Sequence, residues 1–174
     1  MTDDAPSTDV LDPESLPEWQ RARREEIIAA ASHLLEQQPF DQIQIKDVAK
    51  RADVALGTLY RYFRSKEQLY AAVLGRWSSW EDAAPVPGDT AEERLRRRVR
   101  LLISSVERRP HFFTMELALQ STADPQVKAA QTAWSRAGTA WLTTDLQVLG
   151  VEPARQTGEM LQAVVDHVLR KATL

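Results

Sequence analysis

From Trp19 onward, apolar residues recur at intervals of three and four. Ile27, Ala31, Leu34 and Leu35 fall on one side of a helix that Pro39 ends. Ile45, Val48 and Ala52 form a second, short stripe, Val54 and Ala55 lie in a break, and Leu59, Tyr62 and Phe63 form a third stripe. Ser65 is placed to cap a fourth helix, running through Leu69 and Val73 to about Trp80. The stretch DAAPVPGDT (82–90), with two prolines and a glycine, reads as a linker. TAEE (90–93) reads as a capping box that opens a helix with Leu95, Val99, Leu102 and Val106 on its apolar side, ending before Pro110. A further helix covers about 111–121. Asp124 and Pro125 then start a long helix carrying Val127, Ala130, Trp134, Ala137, Trp141 and Val148, stopped by Gly150. Pro153 starts the last helix, with Met160, Leu161, Val164, Val165, Val168 and Leu169. No stretch alternates with a period of two and no segment repeats, so the pattern predicts an all-α protein.

Composition narrows the class. With 174 residues, 43% hydrophobic and 27% charged, the chain is long enough for one or two soluble domains. There is no cysteine, which excludes a disulfide scaffold, thiol catalysis and a cysteine-ligated metal. No apolar run approaches the ~20 residues of a membrane helix, and the acidic start is not a secretory leader. The expected location is the cytoplasm, with no membrane partner. His33, His111 and His167 fall on three separate helices without metal-ligand spacing, and neither a glycine-rich phosphate loop nor a G-x-S-x-G motif occurs. The residues therefore argue against an enzyme and call for no metal or cofactor.

Charge is unevenly placed. Residues 1–18, read as a disordered acidic tail, hold six acids and no base. Residues 19–76 hold ten bases and seven acids, and the remainder is balanced. A local basic segment inside an acidic chain fits either a polyanion-binding face or an ordinary solvated one.

The basic segment carries two short helices joined by a tight break, the helix-turn-helix unit. Its second helix, about Leu56 to Phe63, spans roughly 10–12 Å and fits a DNA major groove about 12 Å wide. Gly57 allows close approach, and Thr58 offers a hydroxyl near the helix start. Tyr60 and Arg61 point away from the Leu59/Phe63 side. Lys66 opens the next helix, where the dipole opposes a cation unless an anion is near.

The segment IKDVAKRADVALGTLYRYFRSKEQL resembles the DNA-binding domain of TetR-family bacterial transcription regulators. The resemblance covers about residues 21–80, and its G-T-L-Y-x-Y-F-x-S-K-E core is specific. RADVALGTLYRYF also looks like repressors of sterol and lipid catabolism within that family. The resemblance implies DNA contacts from Gln44, Lys46, Thr58, Tyr60, Tyr62 and Lys66, with Gly57 beside them, and packing roles for Ile28, Val48, Leu59 and Phe63. Tyr62 fits packing equally well. Two positions depart from the family pattern: Asp53 stands where glycine is usual, and Ala55 where a capping serine is usual. Arg21, Arg23 and Arg24 fit a phosphate contact or a solvated face.

The resemblance also implies an organisation: a DNA-binding domain over 19–80 with its motif at about 44–63, and a helical ligand-binding and dimerisation domain over 81–174. The implied function is a ligand-responsive regulator, expected to be a repressor. It would bind palindromic operator DNA as a homodimer and be released by a small apolar or acyl-type effector. A DNA-binding regulator or architectural protein without an effector is the competing expectation. Trp77, Trp80, Phe112, Phe113, Met115, Glu116, Leu119, Trp134 and Trp141 are the candidate pocket residues, with His111 a further polar candidate; each fits a plain core as well. Leu161, Val164, Val165 and Val168 are the candidate dimer seam. Arg94, Arg96, Arg97, Arg98 and Arg100 read as a solvated face or a phosphate or coenzyme A site. The family usually ends in two long helices, and the pattern here predicts one.

Overall fold

The computed structural model describes residues 15–77 and 85–149, and beyond these 156–160, 163, 164 and 167. Among the described residues the α-helices run in the order α1 (Glu18–Gln37), α2 (Ile45–Arg51), α3 (Leu56–Tyr62), α4 (Lys66–Trp77), α5 (Ala91–Arg108), α6 (Pro110–Leu119) and α7 (Pro125–Thr143). Short 3-10 turns occupy Phe40–Gln42 and Thr144–Leu149. Residues 156–160 are again helical, and no strand occurs among the described residues. The protein is all-α, with a helix-turn-helix unit of α1–α3 and a C-terminal helical part, joined by α4.

The apolar stripes meet in one core. Ile27, Ile28, Ala31 and Leu35 of α1, Val48 of α2, Leu59 of α3 and Leu69, Tyr70, Val73 and Leu74 of α4 are all buried. Leu16, ahead of α1, is buried as well. The Tyr70 hydroxyl donates to the Ala31 carbonyl at 3.2 Å, and its ring meets Phe40 edge-on with centroids 5.1 Å apart. Burial pushes its phenol pKa up. α4 packs on α1 with one side and most extensively on α7 with the other. It is therefore the main bridge between the two parts, which α6 supplements by packing on α1 and on the Phe40–Gln42 turn.

The α2–α3 turn is a Schellman motif. Val54 N–H donates to the Ala49 carbonyl at 3.0 Å and Asp53 N–H to the Lys50 carbonyl at 3.3 Å, with Asp53 at φ 51°. This left-handed position explains why glycine suits it and why an aspartate is tolerated. Ala55 is the N-cap residue of α3, with extended backbone and no side-chain capping bond. Ala55→Ser should therefore stabilise the protein by about 0.5–1 kcal/mol. A thermal melt checks this, and an unchanged or lower Tm counts against it.

The predicted caps elsewhere form. Gln68 N–H donates to Ser65 Oγ at 3.1 Å. Thr90 Oγ1 accepts from Glu93 N–H at 3.2 Å, while the Glu93 carboxylate reaches back to Asp89 N–H at 2.9 Å. Asp124 accepts from the N–H groups of Gln126 and Val127. One expectation needs correcting. The stripe predicted to run in one helix to Val148 does not: α7 ends at Thr143, and the chain tightens into a 3-10 turn. That turn delivers Asp145 to Arg94 and Arg98 on α5, at 2.6 and 3.1 Å.

Candidate nucleic-acid interface

Leu59 is fully buried behind α3, and Tyr62 and Phe63 are buried beside it. What remains outside is Leu56, Gly57 and Tyr60, all exposed, with Thr58 half-buried. A Cβ at Gly57 would meet nothing within 4 Å, so the α3 backbone is bare at that point. Gln44 holds the N-cap position of α2 but makes no capping bond, and its side chain is exposed. Lys46, also exposed, sits in the first turn of α2, where the helix dipole opposes a cation. Lys50, Arg51, Arg61 and Arg64 add exposed positive charge around the pair. The sequence pattern does not single out Leu56. An exposed leucine at the first position of α3 can meet a thymine methyl.

Two groups of basic residues have partners of their own. The Lys66 amine donates to the Phe40 carbonyl and lies 4.1 Å from the centroid of the Phe40 ring. Burial lowers its pKa, opposed by Glu67 and Asp41. Part of the negative potential sought at this lysine is thus supplied by the chain itself. Arg23 pairs with Glu26 at 2.9 Å, and the Arg24 guanidinium lies over the Phe63 ring at 5.1 Å, whereas Arg21 is exposed.

At the junction of α4 with the C-terminal part, the rings of Trp77, Phe112 and Trp134 lie in a row, tilted to one another with centroids 4.7 and 6.4 Å apart, and Phe113 meets Phe112 edge-on at 5.6 Å. Phe112, Phe113, Met115, Leu119 and Trp134 are all buried. Among the described residues, the candidate pocket residues border two separate hollows. Trp77, His111 and Phe112 border a hollow of about 270 Å³ with Arg108 and Arg109. Glu116 and Trp134 border another of about 320 Å³ with Gln120 and Gln131. The buried Glu116 carboxylate accepts from Gln120 Nε2 at 3.0 and 3.2 Å. Trp134 Nε1 is buried without a hydrogen-bond partner among the described residues. Trp141 lies under the Arg98 guanidinium at 5.0 Å, and Trp80 lies outside the described residues.

The arginines of α5 split in two. Arg96 pairs with Glu92 at 2.7 Å, and Arg97 and Arg100 are exposed, as a solvated face requires. Arg94 and Arg98 both turn to Asp145; Arg94 stays partly exposed, while Arg98 is only 7% exposed. A buried carboxylate supplied from another part of the chain is the reason. Of the candidate dimer seam, Val164 is exposed, as is Met160 nearby, while Leu161, Val165 and Val168 lie outside the described residues.

One connection could not be read from the pattern. Arg64 N–H donates to Gln68 Oε1 at 3.1 Å, and Gln68 Nε2 donates to Asp124 Oδ2 at 2.8 Å. The bond from Gln68, with those from the α7 amides and the charge of Arg64, lowers the Asp124 pKa against a desolvation that raises it. The turn leading out of α3 is thereby joined to the cap of α7.

Comparison with known proteins accounts for this architecture. Residues 27–73 match the bacterial regulatory proteins, tetR family, and residues 87–173 match the tetracyclin repressor-like C-terminal domain. The chain belongs to the TetR family. It is similar to the HTH-type transcriptional repressor KstR of Mycobacterium tuberculosis, at 41% identity over 97 residues, 53% of this chain and 44% of that protein. The HTH-type transcriptional regulator EthR of the same species is 35% identical over 95 residues, 48% of this chain and 44% of the relative. The chain thus spans about half the length of the curated relatives it matches. Among solved structures, a TetR transcriptional regulator from Rhodococcus sp. RHA1 superposes with a TM-score of 0.72 at 25% identity, over 90% of this chain and 86% of the other. The fold of FadR from Bacillus subtilis, solved in complex with stearoyl-CoA, is similar at a TM-score of 0.60 and 20% identity, over 83% and 84% of the two chains. The relatives named here are transcriptional repressors and regulators.

Proposed function

We propose that this TetR-family regulator is a cytoplasmic repressor that binds a near-palindromic operator as a homodimer and is released by a small apolar or acyl-type effector. The carrying observation is the surface made by Gln44, Lys46, Gly57, Thr58 and Tyr60, held up by a fully buried back at Val48 and Leu59. One α3 reads only a few base pairs, so two copies are needed to address a genome, and two-fold pairing sets half-sites about 34–36 Å apart or a longer helical repeat. The exposed Met160 and Val164 support a seam with a second copy, which Leu161, Val165 and Val168 would extend. Tyr62 contributes from within the core, and Lys66 has donors left beyond its Phe40 bond.

The named repressor relatives support repression, and the stearoyl-CoA bound to FadR supports an effector of that class. Effector binding in the hollow beside Trp77 and Phe112, or in the one beside Glu116 and Trp134, with Phe113, Met115 and Leu119 packed behind them, would move α7 against α4. The Gln68–Asp124 bond would carry the shift to the α3–α4 turn. The close packing of the aromatic row favours a second reading, a DNA-binding regulator without an effector.

Sequencing genomic fragments captured by the purified protein tests operator binding, with a shared inverted repeat as the expected result. Titrating acyl-chain compounds with and without that operator then separates the two readings. Coupling of about 5–150-fold is expected and must be reciprocal. Equal affinities in the two titrations leave the effector-free regulator, and the absence of any enriched sequence removes both.

A further inference from the structure

The boundary between the DNA-binding unit and α7 is open. A groove of about 690 Å³ runs along it between α1, the end of α3, α4 and the first turns of α7. Its floor includes Phe63, Ala71, Val127 and Ala130. Its lining carries three guanidinium groups, Arg24, Arg64 and Arg76, against one carboxylate, Glu25. That carboxylate satisfies them poorly. Arg24 and Arg76 stand 3.5 and 3.7 Å from it, well beyond the roughly 2.7–2.9 Å of a strong charge-assisted bond. Arg24 Nε is buried with no hydrogen-bond partner among the described residues. The chain thus gathers more cationic donors here than it uses.

The α4 wall adds a second, independent feature. Gly75 lies inside α4, where glycine is less favourable than alanine. A Cβ there would meet nothing within 4 Å, so crowding by a neighbour does not explain the residue. The lack of a side chain at Gly75 leaves the groove wider beside Ala71 and Ala72. The volume falls within the roughly 300–1,000 Å³ typical of small-molecule sites.

We propose that this groove binds a small amphipathic carboxylate, with its head between Arg24, Arg64 and Arg76 and its hydrocarbon body along the Phe63–Ala71–Val127 floor. A planar carboxylate matches the guanidinium fork, and the apolar floor gives an attached chain somewhere to leave water. The site is distinct from the aromatic row of the C-terminal part. It sits over the joint, because Gln68, which holds Asp124, lines the same groove. An occupant touching α1 and α4 on one side and α7 on the other fixes the angle between them.

Calorimetric titration of the full chain with decanoate, below its micelle concentration and at low salt, tests this against decanol and decylammonium. Decanoate should bind, weaken as salt rises, and exceed both controls by about tenfold or more. Arg64→Gln and Arg76→Gln alter exposed side chains and should each weaken decanoate by about tenfold. Gly75→Phe fills the groove from an open position and should abolish binding while circular dichroism remains native. Equal binding of decanoate and decanol overturns the proposal, as does no decanoate binding at all. So does an affinity unchanged by the arginine variants, which decide the matter if Gly75→Phe does not fold. Decanoate binding lost in Trp134→Phe but kept in Arg64→Gln and Gly75→Phe would place the ligand in the C-terminal part. That would sink the groove and leave the proposed function standing.

Discussion

Between about 50 and 200 mM salt, operator affinity should fall by about a thousandfold or more, the effect of neutralising six or more phosphates per dimer. The positive charge around α2 and α3 is exposed and largely unpaired by acids of the same unit, so it is available to displace DNA counterions. Lys46 is the cleanest probe. It is exposed, it sits where its own helix dipole opposes it, and no core contact depends on it. Lys46→Ala removes one phosphate contact per subunit and should flatten the log–log salt slope by about 0.9 for each. Affinity for specific and random sequences should fall in parallel. Lys66→Ala is less clean, because removing the amine from the Phe40 carbonyl and ring also loosens the unit. Thr58→Val and Tyr60→Phe should act differently. Each deletes a hydroxyl on the outer side of α3 and should change which bases are preferred, by about 1–3 kcal/mol for each base that is no longer read. Fluorescence anisotropy across a salt series measures all of these. A slope near zero in the unmodified protein would rule out DNA binding.

The sequence announces those parts of the molecule whose causes are local. Ser65, Thr90 and Asp124 each cap the helix that the pattern assigns to them, because a cap depends on residues two or three positions away. Asp53 is an unusual occupant of a turn favouring positive φ, and the turn has that geometry. The stripes of α1 to α4 show which side is buried for the same reason. What the pattern hides is set by distant partners. Lys66 finds the Phe40 carbonyl 26 residues away, and Asp145 finds Arg94 51 residues away. The period of α5 sets Arg98 nearer the Leu95–Leu102 side than Arg97, but it does not reveal the carboxylate that draws Arg98 inside. The aromatic residues are hard to read for another reason. A pocket wall and a core have the same helical period, so the pattern that finds Phe112 and Trp134 cannot tell which they form. The end of α7 is hidden in a similar way, since Val148 continues the stripe while Asp145 draws the chain into a tighter turn.

Asp145→Ala should be among the most damaging single changes in the C-terminal part, costing about 3–5 kcal/mol, the range for removing one member of a buried ion pair. The Asp145 side chain is 10% exposed and that of Arg98 8%, so the substitution strands a guanidinium that water scarcely reaches. Arg94, at 30%, can turn outward and recover part of its solvation. At about 2–4 °C per kcal/mol for a protein of this size, the melting temperature should drop by about 6–20 °C. Replacing both partners discriminates between lost attraction and stranded charge. Asp145→Leu with Arg98→Met removes the ion pair together with the charge it would strand, and should be more stable than Asp145→Ala although it deletes more polar groups. Acid provides an independent check. Desolvation raises the Asp145 pKa, but the bonds and charges of Arg94 and Arg98 outweigh it and leave the carboxyl below its ordinary value. A carboxyl depressed in the folded state contributes stability that is complete above its unfolded pKa, near 3.9, and is lost as pH falls through the lower folded value. The unmodified protein should therefore lose stability below about pH 4 more steeply than Asp145→Leu/Arg98→Met, in which that carboxyl is absent. Parallel melting curves for the two proteins down to pH 3 would show that the Arg94–Asp145–Arg98 cluster contributes little, and that α5 is held to the end of α7 by apolar contacts alone.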